Sequence, residues 1–301
     1  METTKVILEK DQKTPQTSNA ASKEVSKEIP EDLFEEELTP ICELNKEASK
    51  LSFTPLPINE NRPKNYSTYI ATNLKEISKL SGLNFQKAIE DPDLAKTISI
   101  DFTQFKKKIV LLDMDETLIH ADFMESFDPN EYDQIVHFEV DEQDFQVGIF
   151  IRNGVQQFLQ EISQKFSIGI FTAACKEYAD AVLDILDPER KFIEFSLYRN
   201  SCLNVSGSNI KDLRILKGLS LKDVVLVDNN ICSFSNQLDN GILVSSFYTQ
   251  RDDADLYQVM HYLLNYIYDS DDVRVVNSQF FKFTEIMESF TPQKIQCCCE
   301  C

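Results

Sequence analysis

The sequence predicts an α/β fold, a doubly wound parallel sheet with a small β-hairpin insertion, and three observations carry that reading. Short unbroken apolar runs at Ile109 to Leu112, Ile168 to Phe171 and Val224 to Val227 have the length of strands buried on both faces, and Gly241 to Val244 looks similar. Helical stripes separate or follow them: Val155, Phe158, Leu159 and Ile162; Tyr178, Ala181, Val182 and Ile185; Leu256, Val259, Met260, Leu263, Leu264 and Ile267. Strand alternating with helix builds a parallel sheet covered on both sides. One stretch breaks the rhythm. Val136, Phe138 and Val140 alternate with polar residues, a polar cluster runs from Asp141 to Asp144, and Val147, Ile149 and Ile151 alternate again, which places a hairpin inside residues 123–151.

Around this core, residues 106–273 form the expected domain. Residues 66–105 read as a helical extension, because Ile70, Leu74, Ile77 and Leu80 recur at helical spacing and Gly82 offers a stop. Residues 1–65 are rich in Glu, Lys, Ser, Thr, Pro and Gln and hold too little apolar surface to offset ordering entropy, so a disordered tail is expected. Within it, Leu33-Phe34 among five acids reads as solvated linker or as a docking motif. A second tail is expected over 274–301, where Cys297, Cys298, Cys299 and Cys301 crowd the end.

Composition narrows the function classes. Of 301 residues 42% are apolar, including 21 Phe and 10 Tyr, which suffices for an ordinary packed interior. No run approaches the eighteen or so apolar residues of a membrane span, so no transmembrane segment is expected. Fifty acidic against thirty basic side chains leave a net charge of -20, a field that repels phosphate backbones and argues against direct nucleic-acid binding. Residues 101–150 hold thirteen acids and three bases, half of the whole excess. No leader pattern opens the chain, so nucleus or cytoplasm is expected, with the eight cysteines reduced. The terminal cysteines offer a lipid anchor, and with it membrane association, or a metal site.

The most informative segment is Ile109 to His120, IVLLDMDETLIH, a buried strand that runs into Asp113, Asp115 and Thr117. Residues two apart in an extended chain face the same side, so both carboxylates point to one spot at the carboxyl edge of the sheet, where ligands of such folds bind. Two adjacent anions repel unless a cation bridges them or one holds a proton. A plain helix cap is the structural alternative for Asp115 or Thr117.

Here the residues resemble a family. D-x-D-x-T after a hydrophobic strand is similar to the signature of the haloacid dehalogenase superfamily, and DMDETLIH resembles the small phosphatases acting on the RNA polymerase II carboxy-terminal domain, the NLI-interacting-factor-like group. Phe171 to Cys175 (FTAAC), Asn209 to Leu213 around Lys211, and Val227-Asp228-Asn229 follow in that group's order. The resemblance implies a Mg²⁺-dependent serine/threonine phosphatase working through an aspartyl-phosphate. It makes Asp113 the nucleophile and Asp115 the acid and base. Thr172, Lys211 and Arg152 bind phosphate or shape the substrate cleft, and Asp113, Asp115 (through its backbone carbonyl), Asp228 and Asn229 hold the metal. Asn153 stands where a proline is usual. Phe123, Phe138 and Val147 are candidates for a pocket that receives a substrate proline.

Alternatives stay open: a catalytically idle scaffold that docks phosphoproteins, or a phosphatase of small metabolites. A complete site set disfavours the first, and an insertion too small to make a large lid disfavours the second. Other chemistries fall away. No cysteine has an arginine six residues on, the seven glycines form neither a dinucleotide fingerprint nor a Walker loop, and the three histidines lack zinc spacing.

Overall fold

A computed structural model describes residues 66–80, 100–105, 107–123, 129–205 and 207–290. The two sequence-read tail features, Leu33-Phe34 and the cysteines at 297–301, lie outside these residues, as does the helix stop at Gly82. The elements in chain order are α1 (Tyr66–Leu80), β1 (Ile109–Leu112), β2 (Ile119–Asp122), β3 (Gln134–Val140), β4 (Gln143–Ile151), α2 (Val155–Ser163), β5 (Ser167–Phe171), α3 (Lys176–Leu186), β6 (Ile193–Leu197), β7 (Leu203–Val205), β8 (Ser208–Ile210), β9 (Val224–Asp228), β10 (Gly241–Leu243), α4 (Asp255–Tyr262), α5 (Val273–Phe281) and α6 (Phe283–Ser289).

Five parallel strands form the central sheet in the order β10-β9-β1-β5-β6. β1 sits in the middle, with Leu112 beside Ile170 of β5 and Val227 of β9. Its side chains alternate between two layers, as a strand must. Val110 and Leu112 enter the core that holds α2, α3 and α4, while Ile109 and Leu111 enter the one shared with α1 and α6. Burial on both faces explains why these strands read as continuous apolar runs. β6, the edge strand, shows no continuous apolar run: its pattern IEFSL alternates, because only part of it is covered.

The insertion departs from expectation in one respect. It is a three-stranded antiparallel sheet, β2-β4-β3, because Ile119 to Asp122 leaves the carboxylate motif and pairs with Ile151 to Gly148. The inserted sheet is thus welded to the segment carrying Asp113 and Asp115. At the carboxyl end of the chain, the expected tail is corrected: α5 and α6 are helices, with Val273, Phe283 and Ile286 buried in the two cores. α6 also packs against α1, so the two flanking segments meet on one face of the sheet.

Candidate active site

The end of β1 delivers Asp113 to the carboxyl edge of the sheet, where its backbone N–H donates to the Val227 carbonyl at 2.9 Å. The chain then turns tightly around Met114: its carbonyl accepts from Thr117, Leu118 and Ile119. The turn forces Glu116 to φ 56°, a left-handed conformation costly for a side chain with a β-carbon. The strain is held by the β2 pairing and by the Phe247 N–H, which donates to the Glu116 carbonyl at 2.8 Å.

Two segments far away in sequence, at Lys211 and at Asp228-Asn229, meet the motif's own Thr117 around Asp113. Lys211, between β8 and the short turn at Leu213–Ile215, lies 2% exposed with its ammonium against Asp113 Oδ1 and 2.6 Å from Asp228 Oδ2. On the other side the Thr117 hydroxyl donates to Asp113 Oδ2 (3.1 Å) and also lies 3.3 Å from Asn229 Oδ1. One hydroxyl has one proton, so it cannot satisfy both oxygens at once. Asp228 is anchored by the Asn230 N–H at 2.7 Å, and Asn229 Nδ2 donates to the Ser246 hydroxyl at 3.0 Å.

The charges are unbalanced. Two buried carboxylates share one ammonium, and burial together with the Asp228 charge pushes the Asp113 carboxyl up to about 7 despite Lys211. Burial works against the Lys211 ammonium, yet Asp113 and Asp228 outweigh it and hold it above the ordinary lysine range. Asp115 is pushed up to about 6, chiefly by burial, and the Tyr178 hydroxyl opposes this by donating to Oδ1 at 2.7 Å. Hard oxygen donors that converge on one point with surplus negative charge suit a divalent cation such as Mg²⁺. Asp113 and Asp228, joined through Lys211, and the Asn229 side-chain oxygen beside Thr117 are donors of that kind, while among the described residues no group of three or more acidic, histidine or cysteine side chains is placed to hold a metal by itself.

Thr172 stands at the tip of β5, buried, and its hydroxyl oxygen accepts from the Ala174 N–H at 3.0 Å, which leaves the hydroxyl proton to be donated. Arg199 lies at the rim of the same loop, exposed, its Nε donating to the Ala173 carbonyl at 2.6 Å. The sequence reading assigned it no role, since one arginine after an edge strand gives no signal. Tyr178 was read as part of a helical core stripe, and 5% exposed it is that, but its hydroxyl reaches Asp115. Burial and the Asp115 charge hold its phenol far above the usual range, so it stays a donor. Burial, Cys232 and Asp228 push the Tyr69 phenol of α1 up to about 12, and Cys232 Sγ donates to Asn73 Oδ1 of the same helix at 3.6 Å, so the helical extension packs against the segment that follows β9.

Arg152 corrects an expectation. It is 1% exposed, and its guanidinium is bidentate to Asp253 at 2.8 Å in both contacts, with a third bond to the Thr117 carbonyl at 3.0 Å. A buried guanidinium so committed cannot meet a substrate. It fixes the Thr117 turn to the loop before α4, and Asn153 adds a bond to the Asp253 carbonyl at 3.2 Å. In the expected proline pocket, Phe123 is 60% exposed and its ring lies 5.5 Å from that of Tyr178, with Phe138 5.3 Å from Tyr178 and Phe145 5.4 Å from Phe138. Val147, 1% exposed, belongs to the core instead.

A parallel α/β sheet with a D-x-D edge, an opposed lysine and an inserted antiparallel sheet defines a haloacid dehalogenase-like phosphatase domain. Residues 108–274 match the family model of NLI interacting factor-like phosphatases, over half of the chain, and the chain belongs to that family. It is 39% identical over 169 residues to a probable C-terminal domain small phosphatase of Dictyostelium discoideum, covering 56% of this chain and 53% of that protein. It is 38% identical over 153 residues to the human CTD small phosphatase-like protein, covering 50% and 53%. The chain thus spans about half the length of the curated relatives it matches. A solved structure of the fission yeast RNA polymerase II CTD phosphatase Fcp1 aligns with 23% identity and a TM-score of 0.42, over 62% of this chain and 53% of that one. Among the described residues no helix is long and apolar enough to cross a membrane.

Proposed function

We propose that this chain is a magnesium-dependent protein phosphatase that removes phosphate from serine or threonine through an aspartyl-phosphate on Asp113. The observation that carries the reading is the buried Asp113, Lys211 and Asp228 cluster, with the Thr117 hydroxyl between Asp113 and Asn229. A carboxylate attacks a phosphate dianion only where cations cancel their repulsion. Lys211 supplies one fixed positive charge, oriented by two carboxylates before substrate arrives. Bound Mg²⁺ would supply the second, drawing charge from the phosphoryl oxygens.

In the first step an Asp113 oxygen bonds to phosphorus as the bond to the serine or threonine oxygen breaks. Asp115, whose carboxyl is kept partly protonated by burial, gives its proton to that leaving oxygen. Asp115 then takes a proton from water, which attacks phosphorus and frees Asp113 and inorganic phosphate. Tyr178 keeps the Asp115 carboxyl aimed throughout. The Thr172 hydroxyl and the Ala173 and Ala174 segment hold a phosphoryl oxygen, and Arg199 meets the phosphate or its chain at the rim.

A cleft bounded only by the inserted sheet admits a polypeptide. The aromatic wall of Phe123, Phe138 and Phe145 suits a proline ring, and the relatives named above direct the proposal to the RNA polymerase II carboxy-terminal domain or a similar Ser-Pro segment. The test is turnover of an aryl phosphate with Mg²⁺ or with chelator. Asp113→Asn is expected to abolish it with circular dichroism unchanged, and retained turnover would overturn the nucleophile assignment.

A further inference from the structure

The inserted sheet has two faces, and the second lies beside the catalytic edge too. Strand alternation turns His120 and Phe150, cross-strand partners on β2 and β4, away from the Phe138 side. The Tyr248 ring, 48% exposed, meets His120 edge-on at 5.1 Å, and His120 stacks on Phe150 at 6.2 Å. These rings make a shelf about as long as three residues of extended chain. It begins next to the reacting groups: Glu116 follows Asp115, its carbonyl holds the Phe247 N–H, and its carboxylate lies 3.2 Å from His120 Nδ1.

The chemistry of this shelf is one-sided. Among the described residues no Lys or Arg pairs with the Glu116 carboxylate, whose partner His120 carries charge only when protonated. Both arginines nearby are committed elsewhere: Arg152, 5.6 Å from the Phe247 ring, binds Asp253 and the Thr117 carbonyl, and Arg251, which covers Phe150 at 5.9 Å, is taken up by both oxygens of Asp133 at 2.8 Å. The exposed Tyr248 ring and the Glu116 carboxylate, each in contact with His120, together suit a planar cation that stacks on the ring and reaches the carboxylate with its N–H groups.

We propose that Tyr248 and Glu116 form a specificity subsite for an arginine side chain flanking the phosphorylated residue of the substrate. The subsite rests on the phosphatase reading and deepens it. It uses the local acidity of residues 101–150 for recognition.

The test compares phosphoserine peptides carrying Arg, Ala or Glu two positions before or two positions after the phosphoserine. Binding is read by fluorescence anisotropy on Asp113→Asn and turnover on the wild type, both at low salt. Arginine on one side is expected to improve affinity and kcat/KM about ten-fold over alanine, with glutamate below alanine. In Asp113→Asn combined with Tyr248→Ala, or with Glu116→Gln, the Arg-to-Ala ratio is expected to fall to within about two-fold of unity. A flat series on both sides, or a ratio unchanged in both double variants, overturns the subsite. A ratio lost only with Glu116→Gln reduces the effect to charge and overturns the stacking role of Tyr248. Absence of Mg²⁺-dependent turnover in the wild type would sink the phosphatase reading alone, since the binding series still decides the subsite.

Discussion

Lys211→Met tests the electrostatics of the site without changing its shape much, since methionine keeps most of the aliphatic stem. The ammonium lost is 2% exposed and touches Asp113 and Asp228, which are themselves buried. Removing one partner of such a cluster costs about 3–5 kcal/mol. An independent estimate agrees: two carboxylates that both touched one nitrogen stand about 5 Å apart, and at an effective dielectric of about 20 they repel by about 3 kcal/mol. For a domain of this size that corresponds to a fall in Tm of about 10 °C in magnesium-free buffer above pH 8. The sign with pH follows from Asp113. Its folded pKa is already raised to about 7, and loss of the ammonium raises it further. A carboxyl with a raised folded pKa destabilises the fold where it must ionise and ceases to do so as pH falls through that value. The deficit of the variant is therefore expected to shrink to about half at pH 5.5, the remainder being lost contacts to Asp228. Thermal unfolding followed by circular dichroism at both pH values measures it. An equal loss at the two pH values, or a loss under about 3 °C at pH 8.5, would rule out a charge cluster held by Lys211.

Further outcomes follow from neighbouring residues. Tyr178→Phe removes the bond that favours the Asp115 carboxylate, so its pKa rises above about 6 and the alkaline limb of the phosphopeptide pH profile moves to higher pH, while kcat drops roughly ten-fold. A limb that stays put, or moves down, would remove Tyr178 from this role. Asp212→Asn strips a fully buried carboxylate of its bonds from Arg214, Asn236 and Gln237, beside Lys211. Despite burial, Arg214 holds that carboxyl below the usual range, so its stabilisation is full above the ordinary carboxylate pKa and is lost as pH falls through the lowered one. The variant is expected to be about 2–3 kcal/mol less stable to urea at pH 7, with the gap narrowing near pH 3. In Gly169→Ala the added methyl would stand 2.4 Å from the Phe195 ring, an overpacking expected to cost about 1–3 kcal/mol in the same assay.

Much of this site was legible in the residues. Asp113 and Asp115 stood out because a strand buried on both faces has no use for two carboxylates at its end, and Lys211, Asp228 and Asn229 followed from their order in the resemblance. Arg152 was misread for a physical reason. An arginine at a strand end looks the same in sequence whether it faces a cleft or an internal aspartate, and its partner Asp253 lies 101 residues away. Tyr178 was hidden by its own amphipathic character, which let the ring serve a helical stripe while the hydroxyl served Asp115. β6 went unread because an edge strand covered on one side does not produce a continuous apolar run, and α5 and α6 because their stripes follow a family motif that ends before them.

The periodicities, the D-x-D pair at a buried strand end and the placement of the insertion are written locally in the chain. Each of these reflects local burial, which every short segment records in its own residues. The partners of these groups come from long-range packing. The parallel register that sets β9 beside β1, and the return of Lys211 across 98 residues to Asp113, depend on how distant segments pack, and no local spacing encodes them. The two hydrogen-bonding neighbours of the Thr117 hydroxyl, one four residues away and one 112, show both kinds of information meeting in a single atom.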